Sequence, residues 1–458
     1  VKRVLIVAYH FYPNNEIGAI RSIKFARFLP DYGWKPFVLT VNAKYHELTD
    51  PSPLGFDCDI SRTMKFPVTR DINLWLKSLI RRINKKTPAA YIPGKDRSTA
   101  TTAAGPHIVP LWRRFEYSLN WMPDDKIGWF LPAVIRAIRL IHKHKIDIIY
   151  SSGPPWSVHV VAWGIKKLTG KKWIADFRDP WQPEIKNMQI TTAMSRWISI
   201  RMKDAVIRNA AILVSIADQL KARLGEEYNQ AILDKCHVIP NGYDEDDFAG
   251  IKKTARIPGQ PITFLHAGSL LRGRDPTNML LALADLLKEG RIDSRDIRVK
   301  FMGTVAIDKG RLAQLVADSG MSEVVSFEEP VARREYLKRI LNADVLILIN
   351  DLEVSIAIPG KTFEYMATGN RILSLITSGP TYKLLEGLPG VWSASQHDKS
   401  EIARCIWEAY ADARKNDGRG YSRDTSLEKY SRRKLTGKLA ELLNIVSDGS
   451  ANNPLGLD

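Results

Sequence analysis

The chain has 458 residues, 45% of them hydrophobic and 26% charged, with 67 Lys/Arg against 50 Asp/Glu and a net charge of +17. That length accommodates two full domains with separate cores, and so ordinary a composition excludes fibrous, low-complexity and disulfide-framework chains. The basic balance points to a polyanionic partner: phosphorylated ligands, an anionic membrane surface or nucleic acid.

From the first residue onward, short apolar strands alternate with amphipathic helices. "VLIVAYH" (4–10) reads as a strand, 18–33 as a helix and 36–41 as the next strand. The opening is too short and too quickly polar for a signal peptide. No stretch reaches about 18 uninterrupted apolar residues, so no transmembrane helix is expected. Cys58, Cys236 and Cys405 lie far apart without metal spacing, which fits a reducing compartment. A cytoplasmic chain, peripheral on the inner face of the cytoplasmic membrane, is the expectation.

A basic insertion follows over about 43–145. Its residues 65–145 hold 16 Lys/Arg against 5 Asp/Glu, together with Trp75, Trp112, Trp121 and Trp129. Basic residues among interfacial aromatics suit an anionic membrane surface. Within it, 73–86 reads as an amphipathic helix, and 129–145 as a core helix leading into a strand at 146–152. Then come a helix at 156–169, a strand at 172–177, a helix at 189–210 and a strand at 211–216. A helix from Asp218 and a strand at 236–242 complete an N-terminal domain over 1–242. Such alternation implies a parallel, doubly wound α/β sheet.

A polar linker is expected at 243–260. The alternation restarts over 261–425, with strands at 262–269, 297–303, 324–329, 343–350, 371–377 and 390–394. Helices fall from Pro276, at 309–318, at 332–342, around "KTFEYMATG" and at 399–415. A C-terminal helix at 426–446 packing back on the N-terminal domain and a disordered tail at 447–458 end the chain.

Four stretches carry candidate chemistry. In "FYPNNEIGAIRS" (11–22), Gly18 opens a helix after a strand, and a helix N-terminus with close backbone approach favours an anion. Gly18 and Arg21 are therefore donor-side candidates, although a plain helix start reads the same way. In "WIADFRDPW" (173–181), the strand ends in Asp176, Arg178 and Asp179, where ligands gather in open parallel sheets. One carboxylate orienting a hydroxyl is one reading; an Asp–Arg–Asp network pinning the turn is the other. In "HAGSLLRGRDP" (266–276), Gly268 and Ser269 end a strand, and Arg272 and Arg274 offer forks that suit a diphosphate. In "IPGKTFEYMATG" (358–369), Gly360 opens a helix carrying Lys361 and Glu364 on one side. A lysine there meets a phosphate and a carboxylate a vicinal diol, while an intrahelical salt bridge gives the same spacing.

Taken in this order, with "SSGPPWSVH" and "VIPNGYDEDDF", the stretches resemble the GT-B-fold retaining glycosyltransferases of family 4. That resemblance implies two Rossmann-like doubly wound domains facing across a cleft. It further implies a metal-independent sugar transfer with no cofactor, from a nucleotide-sugar donor to a glycan or polyprenyl-linked acceptor in surface-polysaccharide assembly. Glu364 would hold the donor ribose, Arg274 and Lys361 the pyrophosphate, with Arg272 behind them. Asp176, Arg178 and Asp179 stand where the family often has a sugar-side histidine. The family's two glutamates lie eight residues apart. Here Glu364 fits the second, and Ile356 stands at the first. A GT-B-fold epimerase and a weakly catalytic partner subunit share these features. A nucleic-acid partner is not expected, because no RNP-like strand, zinc spacing or recognition helix is present.

Overall fold

The computed structural model describes residues 1–14, 17–46, 49, 55–67, 122–181, 192–254, 256–257, 259–271, 273–350, 357–416, 420–421 and 425–448. The chain forms two compact units, Val1–Ile239 with Thr436–Asp458, and Pro240–Leu435. The expected amphipathic helix at 73–86 and most of the basic insertion lie outside the described residues, as does nearly all of the tail.

Unit 1 is built on seven parallel strands: β1 (Lys2–Val7), β2 (Trp34–Val41), β3 (Asp59–Thr63), β4 (Ile148–Gly153), β5 (Lys172–Phe177), β6 (Ile212–Ser215) and β7 (Cys236–Val238). Their order is β3-β2-β1-β4-β5-β6-β7. Strands covered by helices on both faces read as continuous apolar runs, as the four buried residues ending β1 do. The helices are α1 (Ile17–Phe28), α2 (Phe130–His144), α3 (Ser157–Thr169), α4 (Ala193–Asn209), α5 (Asp218–Glu227) and α6 (Gln230–Asp234). α2 buries Ala133, Val134, Ala137, Leu140 and Ile141 at helical spacing, so it is a core helix. β3 was not evident in the sequence. "DISRT" has one aliphatic residue, yet it pairs along β2 from Phe37↔Asp59 to Val41↔Thr63 and forms the edge of the sheet.

Unit 2 has six parallel strands: β8 (Ile262–Ala267), β9 (Ile297–Met302), β10 (Val325–Glu328), β11 (Val345–Ile349), β12 (Arg371–Leu375) and β13 (Val391–Ser393), in the order β10-β9-β8-β11-β12-β13. Its helices are α7 (Thr277–Lys288), α8 (Lys309–Asp318), α9 (Arg333–Asn342), α10 (Gly360–Thr368), α11 (Gly379–Leu385) and α12 (Lys399–Lys415). α11 is short and had no periodic signature. The expected linker at 243–260 is corrected at its start: Tyr243 and Phe248 sit in the core of unit 2, and Tyr243 N–H bonds the Tyr430 carbonyl. Apolar side chains there find more burial against the sheet than in a free connector.

The last helix, α13 (Arg432–Ser447), begins in unit 2 and continues in unit 1. There its Asn444 accepts bonds from Lys2 and Trp34, while Lys172 donates to the Val446 carbonyl.

The charged cluster ending β5 has an architectural part. Asp176 is fully buried and takes two bonds from Arg21 (2.8 and 3.0 Å), one from Tyr150 (2.5 Å) and one from Ser152 (3.0 Å). Arg21, 2% exposed, also donates to the Ile239 carbonyl at 2.9 Å. α1, β4, β5 and the end of unit 1 are thus tied by one ion pair. Burial opposes ionisation of Asp176, but Arg21, Tyr150 and Arg178 outweigh it and hold the carboxyl below its usual range. Asp176→Ala leaves Arg21 buried without its counter-charge. The unfolding free energy of unit 1 should fall by about 3–5 kcal/mol, read from urea titration through its tryptophans. A loss under about 1 kcal/mol would show that the pair behaves like an exposed one.

Candidate functional site

In an open α/β sheet the ligand crevice lies beyond the strand carboxyl ends, where the strand order reverses. In unit 2 that reversal is between β8 and β11, the two strands that flank it being first in their respective directions. β8 ends in Ala267 and turns at Gly268, whose φ of 151° no other residue adopts readily. Gly303, after β9, has φ 147°, and a Cβ there would come within 2.3 Å of the Gly268 carbonyl oxygen. The two glycines let the β8 and β9 turns pass backbone against backbone. Tyr365 on α10 braces the first turn: its hydroxyl accepts from Ala267 N–H at 2.9 Å.

Into this corner project two polar side chains, Lys361 and His266. The Lys361 ammonium is buried and unbonded, 3.2 Å from where a Cβ on Gly268 would stand. His266 is fully buried; its Nδ1 meets the Ile347 carbonyl at 3.1 Å, while Nε2 makes no well-formed hydrogen bond and has the Gly268 backbone beside it. The Thr362 hydroxyl, one residue beyond Lys361 at the start of α10, is also buried and unbonded. Desolvation, reinforced by the Arg274 charge, pulls Lys361 down to about 7. Burial, then the charges of Lys361 and Arg274, keep His266 well below the usual histidine range, hence neutral. Buried polar groups are normally satisfied, so the unbonded Lys361 amine beside the His266 ring and one glycine turn, at a helix N-terminus, describes a cradle for an anion.

The other donor-side candidates fall around this corner. Gly360 opens α10 after Pro359, and Ser269 follows Gly268. Arg274 is near enough for its charge to act on Lys361 and His266. Arg272 lies outside the described residues. The intrahelical Lys361–Glu364 pair does not form. Glu364 instead accepts from Arg333 at 2.6 Å and from the Tyr336 hydroxyl at 2.8 Å, and Arg333 also reaches Asp247 at 3.2 Å. Burial opposes the Arg333 charge, but Glu364 and Asp247 more than offset it. Sequence reading missed His266, Thr362, Arg333 and Tyr336; "FLHAGS" offered His266 only as an interruption of an apolar strand.

In unit 1 the structure gives the candidate residues to one another. Arg21 and Asp176, expected on the donor side and in catalysis, form the buried pair described above, and hydrogen bonds tie them to one another, to Tyr150 and Ser152 and to the Ile239 carbonyl. Arg178 bonds the Gly18 carbonyl at 2.8 Å and also the Pro154 carbonyl. A Cβ on Gly18 would come within 2.9 Å of that guanidinium, so the close approach that Gly18 permits is made by Arg178. Asp179 is exposed, and its charge acts on Arg178.

A polar cluster that the sequence did not reveal follows β1. The Asn14 side-chain nitrogen lies 3.3 Å from His10 Nδ1 and 2.9 Å from His46 Nδ1. Burial first, then Arg178, His46 and Lys126, take His10 down to about 3; burial, Arg62 and Lys126 take His46 to about 4. Both rings are neutral at pH 7 and suited to exchanging hydrogen bonds with hydroxyls.

Two parallel-sheet units of this Rossmann-like type in one chain make the GT-B fold. Comparisons with known proteins agree with that class. A family model described as Glycosyltransferase Family 4 matches residues 93–247, about a third of the chain. The D-inositol 3-phosphate glycosyltransferase of Paenarthrobacter aurescens is 24% identical over 236 residues, half of this chain, and the match spans 55% of that relative's length. Sucrose-phosphate synthase from Thermosynechococcus elongatus aligns at a TM-score of 0.59 and 14% identity, covering 98% of this chain and all of that one. Anabaena HepE, solved in complex with UDP and glucose, aligns at 0.56 and 12% identity, covering 97% and 99%. At such identities the structural likeness speaks for the fold. No cluster of three metal-ligating side chains occurs among the described residues.

The Lys361 amine sets a pH dependence. Its folded value near 7 lies below the ordinary 10.5. Between these values the unfolded chain binds a proton that the folded one lacks, so stability through this group rises with pH across that window. Below pH 7 its cost is fully present. Lys361→Met should therefore raise the thermal midpoint of ligand-free protein at pH 6, by about 2–4 °C per kcal/mol recovered, with the gain shrinking as pH rises to 9. Equal midpoints at both pH values would contradict an uncompensated buried amine.

Proposed function

We propose that the chain is a glycosyltransferase that moves a sugar, with retention and without a metal, from a nucleotide-sugar donor to a glycan or lipid-linked glycan acceptor. The observation that carries this reading is the Lys361–His266 cradle beside Gly268 at the reversal of the unit 2 sheet. Support comes from the family 4 match, the GT-B fold, and a relative and a similar structure whose names speak of sugar transfer and of UDP.

In such a transfer the bond from the sugar's anomeric carbon to the diphosphate breaks, and a bond to an acceptor oxygen forms as that hydroxyl gives up its proton. Negative charge grows on the departing diphosphate. In this reading Lys361 and Arg274 meet it, together with the N–H groups opening α10. Fixed charges in a dry site stabilise a developing anion more than water does, because they need no reorganisation. Arrival of the dianion favours protonation of Lys361, which turns a neutral amine into an ammonium at the moment it gains a partner. Glu364, held by Arg333 and Tyr336, keeps lone pairs for a ribose diol. Unit 1 is assigned the acceptor, with Asp179, His10 and His46 as its polar groups.

Thermal-shift screening against UDP-, GDP-, ADP- and CMP-sugars tests the donor reading. One nucleotide class should stabilise the protein well above the others. Lys361→Met should weaken that ligand by about 1.5–3 kcal/mol, roughly 10- to 150-fold. No stabilisation by any member, or equal binding by the variant, would contradict the assignment.

A further inference from the structure

α4 of unit 1 presents an unusual outer face. Its inner face is accounted for: Ser195, Ser199, Lys203, Val206 and Ile207 are buried. Outside, Met194 is 67%, Trp197 54% and Ile200 37% exposed, three large apolar side chains on successive turns. Single exposed apolar residues are commonplace, but a run of them along one helix is not. At 100° per residue, Met194, Trp197, Ile200, Arg201 and Arg208 share an arc of roughly 120°. The Arg201 guanidinium lies over the Trp197 ring at 5.3 Å. Arg201 and Arg208 are exposed, and the only acid in the helix, Asp204, accepts a bond from the Tyr228 hydroxyl at 2.7 Å. The face is therefore apolar at its N-terminal half and cationic beyond it.

We infer that this face of α4 docks on a membrane leaflet rich in anionic phospholipid. Charge identifies the occupant. A symmetric pairing of two copies through this face would bring together surfaces whose exposed charges are arginines. A phospholipid surface supplies both complements, acyl-chain boundary for Trp197, Met194 and Ile200, and phosphate oxygens for Arg201 and Arg208. Tryptophan has an apolar body and one N–H, which fits it to the boundary between the two. Tryptophan stacked beneath arginine also keeps the apolar and cationic contacts in register. The inference is independent of the donor chemistry, and it names a surface apart from the basic segment 65–145.

Flotation of the full chain with vesicles tests it. Wild-type protein should float at low salt with vesicles containing phosphatidylglycerol and stay behind with pure phosphatidylcholine. The double variant Met194→Ser, Trp197→Ser should partition roughly tenfold less, and Arg201→Gln should weaken binding to the anionic vesicles while leaving the thermal midpoint unchanged. The midpoint of the double variant controls for folding. Three results would overturn the inference: no flotation of wild type, double-variant flotation equal to wild type, or a dimer in solution that Trp197→Ser converts to monomer, which would make a second copy the occupant.

Discussion

The Lys361 ammonium is a buried charge without a partner, and the arrangement of unit 2 around it makes sense only with an anion in prospect. An isolated ammonium in a dry site is so unfavourable that it tends to lose its proton, which is what a value near 7 expresses. Lys361, at the second position of α10, does not pair with Glu364 three residues on; Glu364 is held instead by Arg333 and Tyr336. The positive φ of Gly268 and the bracing hydroxyl of Tyr365 then shape the space Lys361 faces. Buried titratable groups without a partner concentrate at sites that bind or react.

Unit 1 shows the opposite use of charge. Arg21 and Arg178 also carry buried charge, but Arg21 is paired with the Asp176 carboxylate and Arg178 donates to two backbone carbonyls. Two motifs that looked alike in sequence, basic residues near a strand end beside a glycine, thus separate on satisfaction of their hydrogen bonds. A paired buried ion locks a fold, whereas an unpaired one awaits a ligand.

Much of the fold was legible because parallel strands covered on both faces are written as continuous apolar runs, and β5, α8 and α12 begin and end where periodicity and caps place them. β3 was hidden because an edge strand of five residues needs little apolar character, and α11 because two turns are too short to show a period. For the site, Gly268, Gly360 and Lys361 were readable from loops following strands. Pairings across long sequence distances were not: Arg21 with Asp176, 155 residues apart, and Arg333 with Glu364. Residue type alone made Asp176 look reactive; only its four hydrogen bonds reveal that it is spent. His266 shows the reverse case, since a histidine inside "FLHA" resembles core packing until its unbonded nitrogen is seen.

Proton uptake on ligand binding probes the central claim most directly. Titration calorimetry at pH 8 with the nucleoside diphosphate of the stabilising donor, in two buffers of different ionisation enthalpy, counts the protons bound. An amine near 7 that becomes an ammonium against a diphosphate should take up about one proton per site in the wild type and none in Lys361→Met. Uptake near zero in the wild type, or uptake unchanged in the variant, would mean that Lys361 does not receive the anion.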